Sequence, residues 1–254
     1  MATFAVTNKP RGTQSLPPCG LAAFAAGMKA GLPIAIGYLP IAITFGLLAK
    51  SAGLPNVISA LMSFAVYAGA SQFIAVQLFS LGTLPWEIIL TTFIINLRHL
   101  LMSAAISQRL PARLGKGLLA GLAFGITDET FSVAALQADE TLPPAFLAGL
   151  NLIAFAAWNI GTWGGLFFAT AVPPALQAGM GIALYAMFIG LLVPSCLSER
   201  PVLVVSLLAI AFHTGLRYLP WIPSLSTGWT IIIATMFAAA LGAFLFPQEV
   251  QEDA

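Results

Sequence analysis

The chain has 254 residues, of which 59% are hydrophobic and only 7% charged, with a formal net charge of +1 and a mean hydropathy of +0.95. A soluble domain is nearer half apolar and about a quarter charged, so this composition excludes a soluble globular fold. It also excludes an electrostatic nucleic-acid surface, which needs a strongly basic field.

The composition is that of an all-α polytopic membrane protein. At ~20 residues per span with short loops, about seven or eight transmembrane helices fill the length. Residues 1–20 are expected to be a short disordered tail, residues 21–247 a single transmembrane helical domain, and residues 248–254 an acidic tail. The start lacks the layout of a cleaved signal peptide, because the apolar run that follows is long and contains Lys29. Cys19 and Cys196 have no metal-ligand spacing.

Leu21–Lys50 is the first apolar region. Pro33 and Pro40 interrupt it, with Gly31 and Gly37 nearby. Each proline removes a backbone donor and clashes with the preceding turn. The region is therefore read as a kinked span or as a broken or re-entrant element. Val57–Phe79 is the second span, with YAGASQF (67–73) at its middle. Its Gly69, Ala70 and Ser71 suit close helix contact, and Gln72 needs a polar partner at that depth. Pro85–Ser107 is the third span and carries Glu87 at its start and NLRHL (96–100) in its second half.

The loop Arg109–Lys116 holds the densest basic cluster, which the positive-inside rule places in the cytoplasm. Gly117–Gln137 then reads as a fourth span running outward, with Asp139 and Glu140 in an outer loop. Ala145–Ala169, Gly179–Leu197, Pro201–Leu219 and Ser226–Phe246 complete the series. Trp221 and Trp229 flank the last turn as interfacial aromatics. Counting back from the basic loop puts the N-terminus outside, despite Lys9, Arg11 and Lys29. A re-entrant first element would return it to the cytoplasm. A faint internal repeat pairs residues 29–108 with 116–198, setting FAVYAGAS (64–71) against FAAWNIGT (155–162). Three spans per unit would make it an inverted repeat, as in many secondary transporters.

The fourth span contains the chain's most expensive feature. FGITDETF (124–131) places Asp128 beside Glu129 in an otherwise apolar or small-residue segment. A carboxylate at the bilayer centre costs roughly 2.5–3.5 kcal/mol on insertion scales. Two in a row survive if they face a cavity, a bundle interior or a basic partner, and Arg98 or His99 can serve as that partner. The bland alternative is a solvated helix end, with Arg98 snorkelling to the interface.

Four stretches together resemble the AzlC family, also called YgaZ or BrnF: LPIAIGYLPIAITFG (32–46), YAGASQF (67–73), NLRHLL (96–101) and FGITDETF (124–131). Leu100–Leu101 departs from the family pattern, where a tyrosine often follows RHxL. The resemblance implies export of branched-chain amino acids such as valine, and of methionine, across a bacterial inner membrane. It also implies a small membrane subunit of the AzlD or YgaH type.

An amino acid zwitterion needs an anionic contact and a set of donors. The expected substrate- and proton-binding residues are Asp128, Glu129, Arg98, His99, Gln72, Ser71, Tyr38, Thr127 and Asn96. Adjacent helical residues diverge by about 100°, so one carboxylate is expected to bind substrate and the other a proton. Proton antiport is the expected coupling, since burial disfavours the ionised form of a carboxyl. A channel or facilitator lined by the same carboxylates is the rival reading. An enzyme is not expected: the chain has no HExxH, and His99 and His213, isolated on separate spans, are read as hydrogen-bonded bundle residues in preference to haem or metal ligands. No cofactor is expected.

Overall fold

A computed structural model describes residues 20–168, 173, 189–190, 192–218 and 225–247. The expected tails apart from Gly20, together with Cys19, Trp221 and most of the sixth span, lie outside the described residues. Most of those described are helical, with no strand among them.

The helices run α1 (Gly20–Ser51), α2 (Asn56–Leu61), a π-helical turn (Met62–Val66), α3 (Gly69–Ser80), α4 (Pro85–Ser107), α5 (Lys116–Phe124), α6 (Asp128–Ala135), α7 (Pro144–Phe168), α8 (Arg200–Tyr218) and α9 (Thr227–Leu245). Among the described residues, α1, α4, α7, α8 and α9 are long and apolar enough to cross a membrane. The chain forms two compact units, and their boundaries fall inside α1, α4 and α7. Residues 20–39 and 98–158 make the first; residues 40–97 and those described beyond 158 make the second.

The expectation of a broken or re-entrant first element is corrected. α1 is a single helix of 32 residues through both prolines. The reason lies in its faces. Gly27, Gly31, Tyr38, Ala42, Phe45 and Ala49 form a buried stripe. Pro33 and Pro40 are exposed, and at about 100° per residue both fall on the opposite side. The prolines therefore sit away from the packed face, which continues unbroken through the helix.

In the first unit, α1 meets α7 almost backbone to backbone. A Cβ on Gly27 would lie 1.9 Å from the Phe146 carbonyl oxygen, and one on Gly149 would lie 2.1 Å from that of Phe24. Around this crossing, Ala23, Ile106, Leu122, Ile126, Leu142, Phe146, Leu147 and Leu150 build a buried apolar core.

In the second unit the expected second span is interrupted. The π-helical turn ends at Tyr67, which is buried and left-handed at φ 46°, and α3 starts at Gly69 without a side-chain cap. Gln72 finds the partner that its depth demands. Its Nε2 donates to Ser63 Oγ at 3.0 Å, and Ser63 is 2.7 Å from the Thr162 hydroxyl. Lys50 Nζ donates to the Leu166 carbonyl at 2.8 Å, satisfying the last turn of α7. Glu87 is buried and caps α9, accepting from the Ser226 hydroxyl and, at 3.1 Å, from the Trp229 N–H.

The expected fourth span, Gly117–Gln137, is interrupted as well. α5 and α6 are bent by 113° across Gly125–Thr127. The pairing of residues 64–71 with 155–162 also joins unlike structures, because 64–71 runs through a helix break and 155–162 lies in unbroken α7.

Candidate functional site

The site is built on the break between α5 and α6, in the first unit. Thr127 is the N-cap of α6, with φ −120° and ψ 174°. Its Oγ1 accepts the Thr130 N–H at 3.4 Å, and the Thr130 hydroxyl accepts the Thr127 N–H at 2.8 Å, a reciprocal capping box. On the other side of the break, Asn151 Nδ2 donates to the Leu122 carbonyl at 2.9 Å. Gly125 is required there, because a Cβ would stand 2.5 Å from Asn151 Nδ2. These bonds satisfy the freed groups that a broken helix leaves, without which irregular backbone cannot persist at depth.

Asp128 and Glu129 are therefore the first two residues of a helix, not the middle of one. Carboxylates are favoured there, since the helix N-terminus carries partial positive charge. Their side chains diverge as adjacency requires. Asp128 Oδ2 pairs with Arg98 Nη2 at 2.9 Å. Glu129 accepts from the Tyr38 hydroxyl, which also lies 2.7 Å from the Thr127 hydroxyl. Tyr38 is buried, with its ring edge-on to Trp158 at 5.2 Å. Arg98 and Asp128 are only half-buried, at 39% and 37% exposure. The Nε of Arg98 is itself buried and has no hydrogen-bond partner.

Of the nine expected residues, Asp128, Glu129, Arg98, Tyr38 and Thr127 come together in this way. His99 is half-buried next to Arg98 on α4. Ser71, Gln72 and Asn96 belong to the second unit. There Ser71 turns back onto the Ala68 carbonyl at 2.9 Å, and Asn96 Oδ1 is buried without a partner. Sequence reasoning missed Thr130, Asn151 and Trp158 as supports. The Thr127-x-x-Thr130 spacing was the available signal for the first, and an asparagine in an apolar span for the second.

The family model described as AzlC protein matches residues 33–172, more than half of the 254-residue chain and all of the residues around the break. The chain belongs to the AzlC family. Among its relatives is the Inner membrane protein YgaZ of Escherichia coli, 34% identical over 70% of this chain and 76% of its own length. An uncharacterized membrane protein of Archaeoglobus fulgidus is 34% identical over 76% of this chain and 85% of its own. The Branched-chain amino acid transport protein AzlC of Bacillus subtilis is 27% identical over 70% of each. No solved structure matches the chain. This AzlC-family chain is thus a multi-pass membrane protein. Its break holds one ion pair, one carboxylate on a phenol and a chain of hydroxyls.

Proposed function

We propose that the protein is a secondary transporter exporting branched-chain amino acids, valine-like and including methionine, across a bacterial inner membrane in exchange for protons. In this reading it is the large subunit of a two-component exporter with an AzlD/YgaH-type small subunit. The name of the Bacillus subtilis relative supports the substrate class, and that of the Escherichia coli relative supports the membrane.

The observation that carries the reading is the half-used edge of Arg98. Nη2 holds Asp128 at 2.9 Å while the neighbouring Nε meets no acceptor. Nε and Nη2 form the side-on edge that grips a carboxylate by two parallel bonds. A substrate carboxylate takes that edge and displaces Asp128, and Asp128 then receives the substrate ammonium. The Arg98–Asp128 pair is an internal stand-in for the zwitterion.

Glu129 is the proton site. A phenol has a single proton to donate. When Glu129 is ionised, Tyr38 donates to it. When Glu129 is protonated, the acid donates to Tyr38, and Tyr38 turns its proton to Thr127 Oγ1, 2.7 Å away.

Counterflow of labelled valine in vesicles holding both subunits tests the assignment. Unlabelled valine inside is expected to stimulate uptake, as a carrier requires and a pore does not. Arg98→Gln or Asp128→Asn is expected to reduce it tenfold or more, about 1.4 kcal/mol of lost substrate binding. Absence of stimulation in the native protein, or full activity in both variants, contradicts the reading.

A further inference from the structure

The chain between α4 and α7 is closed at its base. The Arg109 carbonyl accepts the Leu142 N–H at 2.7 Å, a main-chain bond between the residues that leave α4 and those that enter α7. The Arg109 guanidinium gathers the end of α6. Nη1 donates to the carbonyls of Ala134 and Ala135 at 3.0 and 3.1 Å, and Nη2 donates to those of Gln137, at 2.8 Å, and Asp139. Leu110 and Leu142 are buried in the same apolar core.

These contacts fix depth. The hydrocarbon core is about 30 Å thick, so two residues joined by a main-chain hydrogen bond share one face of it. The helices between them are too short to cross and return. α5 has 9 residues and α6 has 8, about 13 and 12 Å at 1.5 Å per residue. Each reaches about half-way, and they are bent by 113° where they meet. The turn itself, Gly125–Thr127, is buried and hydrogen-bonded, as non-helical backbone at depth must be.

We infer that residues 116–135 are a re-entrant hairpin and not a span. Its tip sets Asp128 and Glu129 near mid-depth at the start of the returning half-helix. Its two ends, 109–115 and 136–143, emerge on the same face. Asp139 and Glu140 then share that face with Arg109, Arg113 and Lys116, in place of the opposite faces that charge alternation suggests. α7 starts from the face on which α4 ends, so residues 85–168 cross the membrane twice instead of three times. The hairpin follows from the Arg109 contacts, the closure at Leu142 and the two short half-helices, and it stands whether or not the site carries valine.

Thiol accessibility tests it in the full-length chain with Cys19 and Cys196 replaced by serine. Ala112→Cys, Ala138→Cys and Leu84→Cys place single exposed thiols after α4, after α6 and before α4. A membrane-impermeant maleimide is applied to right-side-out and inside-out vesicles. Ala112→Cys and Ala138→Cys are expected to label in the same vesicle orientation, and Leu84→Cys in the other. Labelling of Ala112→Cys and Ala138→Cys in opposite orientations overturns the hairpin. Arg113→Cys with Glu140→Cys is a second pair for the same comparison, should either first variant fail to accumulate.

Discussion

Asp128 and Glu129 are neighbours in sequence and part company at once in space, one to a guanidinium and the other to a phenol. This division sets what each substitution should do. Arg98→Lys keeps the charge but replaces a planar fork with a point donor. It is expected to raise KM for valine about tenfold, on the scale of one lost charge-assisted bond, with less effect than Arg98→Gln; equal KM values for Arg98→Lys and the native protein would contradict the side-on grip. The adjacency of the two carboxylates was legible in the sequence, and so was the need for a cation. Which carboxylate Arg98 chooses was not, because that depends on where the helix begins.

At the scale of the element, the break between α5 and α6 governs the site. It is written as Gly125 followed by a Thr127-x-x-Thr130 cap inside an apolar run, a signal that the even hydropathy of the segment conceals. Gly125 and Asn151 are in contact, so their substitutions should not add. Gly125→Ala displaces Asn151 from the Leu122 carbonyl, and a cycle with Asn151→Ala is expected to show a coupling of about 1–2 kcal/mol in thermal stability in detergent; strict additivity would show that the two do not meet. Arg109→Gln leaves four carbonyl contacts at the end of α6 unmade and is expected to destabilise by roughly 2–4 kcal/mol, with part recovered in Arg109→Lys. An unchanged melting temperature would mean that the α6 end is held by something else. The prolines of α1 mislead in the opposite direction: they suggest a break, yet they lie on the exposed face of a helix whose other face is packed.

For the whole molecule, the long spans were readable to within a residue or two, because about 20 apolar residues bounded by polar turns have one physical solution in a bilayer. Pro85–Ser107 is α4 as expected, and α1, α7, α8 and α9 follow their predicted ranges closely. What could not be read were the two interrupted segments, 56–80 and 116–135, where hydropathy is satisfied and backbone geometry is not. α1, α4 and α7 each run through both compact units, yet the carboxylate pair and its supports lie within one. In the proposed function this carboxylate pair handles an amine at Asp128 and a proton at Glu129. Proton movement measured with a pH-sensitive dye during valine flux, in vesicles holding Glu129→Gln, tests that claim most directly. The account predicts that valine counterflow persists while valine-driven proton movement disappears; proton movement per valine equal to that of the native protein would contradict it.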